Sequence, residues 1–139
     1  MILLDTNVVS EFMRPAPAVQ VVAWLDAQAP GQVWVCAVTR AEIELGVALL
    51  PDGKRKLGLQ TAAVAMFAEE FAGRCLPFDE AAATHCAAIV SLRSQRGRPI
   101  SVEDAQIAAI ALAHDLTLAT RNEKDFDGIE GLSVVNPWV

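Results

Sequence analysis

Ile2-Leu3-Leu4-Asp5-Thr6-Asn7 opens the chain with an apolar run and stops it with three polar side chains. A run that short and that apolar is a buried strand, and Thr6 or Asn7 is suited to cap the helical segment Val8–Met13 that follows. The same grammar recurs downstream. Val33–Ala37 is a Val-rich strand followed by a helix from Thr39, Leu116–Ala119 is a strand left through Thr120-Arg121-Asn122, and Leu132–Val135 is a last strand. Between them lie helical spacings. Val21, Trp24 and Leu25 mark a helix running to about Ala29, and Val64, Phe67, Ala68 and Phe71 mark another that Gly73 ends. Cys75-Leu76-Pro77-Phe78 reads as an edge strand, since proline is tolerated there. Asp79 caps a long Ala-rich helix that stops at Gly97, and Ser101 opens one with Ile107, Ile110, Ala111 and His114 on one face. Strands alternating with helices predict an α/β fold with a parallel, helix-covered sheet.

The composition fits that fold. With 139 residues the chain is expected to be a single domain spanning 1–139, and 53% apolar against 20% charged residues describes a full core. Five Phe, three Trp and no Tyr leave little for a surface that stacks bases. No uncharged run is long enough to span a membrane, and the first apolar stretch ends at Asp5, too soon for a signal peptide. Cys36, Cys75 and Cys86 lack the spacing of a disulfide framework or a zinc site, so they are read as core fillers in a cytoplasmic protein. A net charge of −6 argues against holding nucleic acid by bulk electrostatics. It leaves room for an enzyme acting on nucleic acid. Basic residues cluster at Lys54-Arg55-Lys56 and at Arg93, Arg96 and Arg98, where a solvated turn and a helix end are the competing readings.

Three acids stand at matching landmarks. Asp5, Glu42 and Asp104 each fall at a strand exit or in the first turn of the next helix. In an open α/β sheet such positions share one edge, where sites form. Carboxylates gathered there repel one another unless a cation holds them, and hard oxygen ligands suit Mg²⁺ or Mn²⁺. Each acid also has a plainer reading. Asp5 can serve a turn, Thr39-x-x-Glu42 is a capping box, and Ser101-x-x-Asp104 resembles one. A carboxylate in a first helical turn is stabilised in its ionised form by the macrodipole, which also favours metal binding. Asn122 and Asp125 compete for a fourth position, since spacing alone does not choose between them. His85 and His114 are read as packing or capping residues, and Ser10 and Ser91 lack a base partner. The familiar glycine-rich nucleotide loops are absent.

Taken in order, several segments resemble the PIN-domain proteins, and among them the VapC toxin group with its FitB-like members. They are Met1-Ile2-Leu3-Leu4-Asp5-Thr6-Asn7, the Thr39-x-Ala41-Glu42-x-x-x-Gly46 stretch, Glu103-Asp104-Ala105-x-Ile107-Ala108-Ala109, Ala119-Thr120-Arg121-Asn122 and Asn136-Pro137-Trp138. The match extends from Ile2 to Trp138. The resemblance implies a central parallel sheet with helices on both faces. It also implies a Mg²⁺- or Mn²⁺-dependent ribonuclease, toxic when free and silenced by a cognate VapB-like antitoxin. On its motifs Asp5, Glu42 and Asp104 correspond to the metal-binding acids, and Asn122 stands where many members carry a fourth acid. Homodimers joined further through antitoxin are expected, with operator DNA reached only through the antitoxin.

The expected chemistry is hydrolysis of an RNA phosphodiester by activated water, with one or two ions held by Asp5 and Asp104 and by Glu42 directly or through water. Products with 5′-phosphate and 3′-hydroxyl ends follow from the resemblance. Thr6 and Asn7 are candidates to orient the ligands, and Thr120 to hydrogen-bond water or an acid. Arg121 is assigned either a phosphate contact or an outward surface role. The acidic pocket is a receptor for an Arg or Lys of an antitoxin tail. The apolar segment Val19–Leu25 is expected to pack internally in preference to facing a partner. Asn122 motivates a second hypothesis: a PIN-fold binding module with weak catalysis, acting mainly within an antitoxin–operator complex. A phosphoryl-aspartate protein is disfavoured, because position 7 is Asn where a phosphatase needs a second Asp.

Overall fold

A computed structural model describes all residues from 1 to 139. Its frame is a five-stranded sheet of β1 (Ile2–Leu4), β2 (Val33–Cys36), β3 (Cys75–Leu76), β4 (Thr117–Ala119) and β5 (Val134–Val135). The order is β3-β2-β1-β4-β5 and every neighbouring pair is parallel. Six α-helices connect the strands: α1 (Thr6–Phe12), α2 (Val19–Asp26), α3 (Ala37–Ala48), α4 (Lys54–Ala65), α5 (Glu80–Gln95) and α6 (Val102–Ala113). Parallel neighbours need such crossovers, which is why strands and helices alternate along the chain.

Both sheet faces are covered, and the strand residues show it. Leu3, Cys36 and Leu118 enter one apolar cluster with α5, α6 and Phe126, while Leu4, Val35 and Ala119 enter the other with α1, α2, α3 and α4. Side chains alternate along a strand, so burial on both faces requires an unbroken apolar run. Ile2-Leu3-Leu4 and Val33–Cys36 supply it. The short Cys75-Leu76 strand sits at the sheet edge, as its following proline predicts.

Local details depart from the sequence expectations in instructive ways. Helix α1 begins at Thr6, and its cap is Asp5, whose Oδ1 accepts from the Thr6 backbone N–H at 2.8 Å. Helix α3 begins at Ala37, so Thr39 lies inside it and the Thr39–Glu42 capping box does not form. Residues Val64 and Ala68 are exposed, although their spacing predicts a buried face. The cause is a π-helical turn, Met66–Glu70, in which the Phe71 N–H bonds to the Met66 carbonyl. That wider turn rotates the apolar stripe onto Ala63, Met66, Phe67 and Phe71. Lys54-Arg55-Lys56 forms the first turn of α4 instead of a loop. In α5 only Ala82, Ile89 and Arg93 are buried, and His85 is exposed, so its expected packing role is not seen. The Val19–Leu25 segment turns Val21 fully inward while Val19 is 81% exposed.

Candidate metal centre

The sheet order fixes where a site can form. From β1 the chain winds outward through β2 to β3 on one side and later through β4 to β5 on the other. The β1–β4 border is therefore the switch point, where diverging connections leave a crevice at the strands' carboxyl ends. Leu4 pairs with Ala119, and the Asp5 N–H bonds to the Ala119 carbonyl at 2.9 Å. Asp5 and Thr120 are thus side by side at the mouth of that crevice.

A closed hydrogen-bond set holds Asp5 there. Its Oδ2 accepts from Thr120 Oγ1 at 2.8 Å and from Asn7 Nδ2 at 3.2 Å, while its Oδ1 takes the Thr6 N–H. Asn7 Nδ2 also reaches Thr120 Oγ1, and the Asn7 side-chain oxygen Oδ1 accepts the Arg121 N–H. Thr120 Oγ1 in turn accepts the Asn122 N–H at 3.0 Å. Asp5 and Thr120 are both buried. Thr6 Oγ1 donates to Glu42 Oε1 at 2.7 Å and lies 3.1 Å from Thr39 Oγ1. Thr6, Asn7 and Thr120 therefore orient acids: Thr120 and Asn7 share Asp5 Oδ2, and Thr6 serves Asp5 Oδ1 and Glu42 Oε1. Thr39, fully buried beneath Thr6, was missed in this role because its spacing to Glu42 imitates a helix cap.

Asp104 arrives from another direction. Ser101 caps α6 by accepting the Asp104 N–H, which leaves the Asp104 carboxylate in the first turn and half-buried. The Asp125 segment follows β4 as a 3₁₀ turn, Glu123–Phe126. Arg93 fixes that turn. Instead of forming a surface charge cluster with Arg96 and Arg98, its guanidinium is buried and donates to the carbonyls of Asp125 and Asp127, both at 2.8 Å. The side chain of Asn122 is exposed and makes no hydrogen bond. Arg121 stacks its guanidinium 5.0 Å above the Trp138 ring.

The acids feel one another. Burial raises the pKa of Asp5, against the hydrogen bonds from Thr120 and Thr6 that lower it, and the charges of Glu42 and Asp125 raise it further. Burial likewise pushes Asp104 up to about 6, followed by the repulsion of Asp5, with smaller contributions from Asp125 and Glu42. The charges of Glu42 and Asp125 thus reach both Asp5 and Asp104, whereas the amide of Asn122 carries no charge. No three His, Cys, Asp or Glu side chains are already gathered around one point as a finished ligand set. Asp5 and Glu42 take their hydrogen bonds from Thr6, Asn7 and Thr120, while the Asp125 side chain is exposed. The donor set itself contains only hard carboxylate oxygens, with no imidazole or thiol, which fits Mg²⁺ or Mn²⁺ and not zinc or copper.

This geometry has known counterparts. The PIN-domain family profile matches residues 2–132. Toxin FitB of Neisseria gonorrhoeae is 47% identical over 138 residues, covering 99% of each chain. VapC ribonuclease Y4jK of Sinorhizobium fredii is 39% identical over the same length, covering 99% of this chain and 98% of its own. Among solved structures, FitAB bound to an IR36 DNA fragment superposes with a TM-score of 0.91 at 46% identity, covering 100% of this chain and 96% of that one. With the switch-point acids in place and nearly the full length matched, the chain belongs to the PIN-domain family.

Proposed function

We propose that this protein is a metal-dependent endoribonuclease and the toxin of a type II toxin–antitoxin pair, working in the cytoplasm with Mg²⁺ or Mn²⁺. The observation that carries the reading is that Asp5, held at the β1–β4 switch point, and Asp104 are both raised in pKa, first by burial and then by neighbouring carboxylates that include Glu42 and Asp125. Such a site is costly to the metal-free chain and serves a cation. Asp5, Glu42 and Asp104 would hold the ion, and Asp125 would complete the charge. When bound, the ion supplies Lewis acidity, which acidifies water and offsets charge on phosphoryl oxygens. The protein's own contribution is orientation. Thr120, Asn7 and Thr6 fix both oxygens of Asp5, and Thr6 fixes Glu42, so that the acids need little reorganisation when the substrate arrives.

The relatives' names support this reading, one being a ribonuclease and one a toxin. The FitAB assembly on DNA supports a VapB-like antitoxin as partner, with operator DNA reached through it. A mostly apolar depression lined by Met13, Pro15, Ile43, Val47 and Leu50 opens beside Thr6 and Glu42, and offers such a partner a surface next to the acids. A homodimer is part of the same proposal. No helix is long and apolar enough to cross a membrane.

The competing reading, a binding module with weak catalysis, rests on Asn122 in place of an acid. The electrostatic reach of Asp125 onto both Asp5 and Asp104 favours the nuclease, because the fourth charge is present without Asn122. The test is cleavage of total RNA by antitoxin-free protein in Mg²⁺, Mn²⁺ and EDTA, with product ends mapped. Metal-dependent cuts leaving 5′-phosphates are expected. Metal-independent cleavage, or none by protein shown to be folded, defeats the proposal.

A further inference from the structure

Eleven basic residues serve a chain of net charge −6, and most are already committed. Arg14, Arg40 and Lys56 pair with carboxylates. Arg74, Arg93 and Arg96 donate to backbone carbonyls, and Arg121 lies over Trp138. Four remain with neither an acid, a carbonyl nor a ring: Lys54, Arg55, Arg98 and Lys124. They fall in two depressions, one of which also contains Glu42 and the other both Asp104 and Asp125. Lys54 and Arg55 rim the largely apolar one beside Glu42. Arg98 and Lys124 line a polar basin of about 480 Å³ whose wall includes Asp104 and Asp125 and only one hydrophobic residue.

We propose that Arg98 and Lys124 form a phosphate seat that holds the RNA strand next to the acids, one nucleotide's reach from the bond to be cut. This rests on the nuclease reading and deepens it. A strand whose scissile phosphate meets Asp5 and Asp104 has neighbouring phosphates that no metal neutralises, and on an acidic protein those need cations. The basin is the size of a small-molecule site, ample for one nucleotide. It is also built rather than accidental. Lys124 belongs to the 3₁₀ turn whose carbonyls at Asp125 and Asp127 the buried Arg93 grips. The Arg98 N–H bonds to the Arg93 carbonyl at 2.9 Å, just after Gly97 turns the chain with a φ of +68°. Both free cations therefore hang from one frame centred on Arg93, and Asp104 looks into the same basin. Low apolar content makes it a poor seat for a hydrophobic partner segment, and the contrast with the other depression decides between them.

The experiment compares wild type, Arg98→Ala, Lys124→Ala and their double variant on a short single-stranded RNA. Steady-state cleavage in Mg²⁺ is read across a salt series, and binding of the labelled RNA in EDTA is read by anisotropy. Each single change is expected to raise KM roughly tenfold with kcat nearly unchanged, and to weaken RNA binding in parallel. The slope of log(kcat/KM) against log salt should become shallower by roughly 0.7 for each cation removed. Arg98→Lys and Lys124→Arg should restore most of the loss. Lys54→Ala/Arg55→Ala makes the same charge change in the apolar depression and is expected to alter the slope less. A double variant with wild-type KM, binding and salt slope overturns the seat, as does a loss confined to kcat with a lowered melting temperature. Wild-type protein that binds RNA through these residues yet cuts none removes the nuclease reading alone.

Discussion

The two halves of the acidic site are built to different standards. Asp5 ends the central strand, is buried, and has every carboxylate oxygen engaged by Thr6, Asn7 or Thr120. Asp104 and Asp125 come from a helix start and a 3₁₀ turn, stand partly or fully open to solvent, and meet few donors. Burial raises the pKa of Asp5 while its hydrogen bonds pull the other way; Asp104 has less to oppose burial and charge, and reaches about 6. One half has its carboxylate oxygens engaged by the protein, and the other has its backbone held by Arg93 and Ser101 with its carboxylates left open. A cation site assembled this way would be pre-oriented by protein hydrogen bonds on one side and would take its open carboxylates from the other.

The sharpest test of that division is removal of the fixed carboxylate. Asp5→Asn keeps shape and the Thr6 N–H acceptor, so folding should persist, while kcat/KM for RNA should fall by about a thousandfold or more. Near-parental cleavage by the purified variant would mean the fixed half is not the catalytic one.

Next in size is Thr120→Val, which keeps volume and deletes the hydroxyl shared by Asp5, Asn7 and the Asn122 N–H. Leaving those groups unpaired should cost about 1–3 kcal/mol in urea denaturation, with activity down about 10–100-fold. Equal stability would show that water replaces the hydroxyl without penalty.

On the open half, Asp125→Asn is expected to weaken Mn²⁺ binding by about tenfold, roughly one like-sized charge interaction, measured by calorimetric titration. Asn122→Ala should change it little. The reverse ranking would return the fourth position to Asn122.

The smallest effect is in pH. Asp104 has a folded pKa near 6, above its unfolded value near 3.8. Between those values the folded chain holds more protons, so this group's contribution to stability falls as pH rises through that window, and its full penalty is present above 6. Melting of the metal-free protein should therefore show a contribution from Asp104 that improves from pH 7 toward 5 and is lost in Asp104→Asn. Mn²⁺ affinity should move the opposite way, weakening as pH drops below 6 because proton and metal compete for one carboxylate. A metal affinity independent of pH from 7.5 to 5.5 would remove Asp104 from the ligand set.

Much of this was legible in the chain. Ile2-Leu3-Leu4-Asp5 reads as a strand and its exit because apolar runs buried on both faces cannot alternate, and the ordered motifs from Asp5 to Trp138 point to the PIN family. Asp79 and Ser101 cap α5 and α6 as local chemistry predicts. Other parts were not legible. Thr39 and Glu42 imitate a capping box, and only the true start of α3 at Ala37 shows that they serve Thr6 instead. The π turn at Met66–Glu70 shifts a stripe that regular spacing misplaces. Arg93 sits within a basic cluster in sequence, yet it is buried and holds the Asp125 turn.

The sequence by itself determined the alternation of strands and helices and the caps Asp79 and Ser101, because those choices depend on neighbours a few residues away. Tertiary structure alone decided that Thr120 bonds to Asp5, that the charge of Asp125 reaches Asp5 and Asp104, and that Arg98 and Lys124 line a depression with Asp104. Each of those depends on strand order and on contacts across dozens of residues, and local spacing carries no record of which distant groups the sheet will bring together.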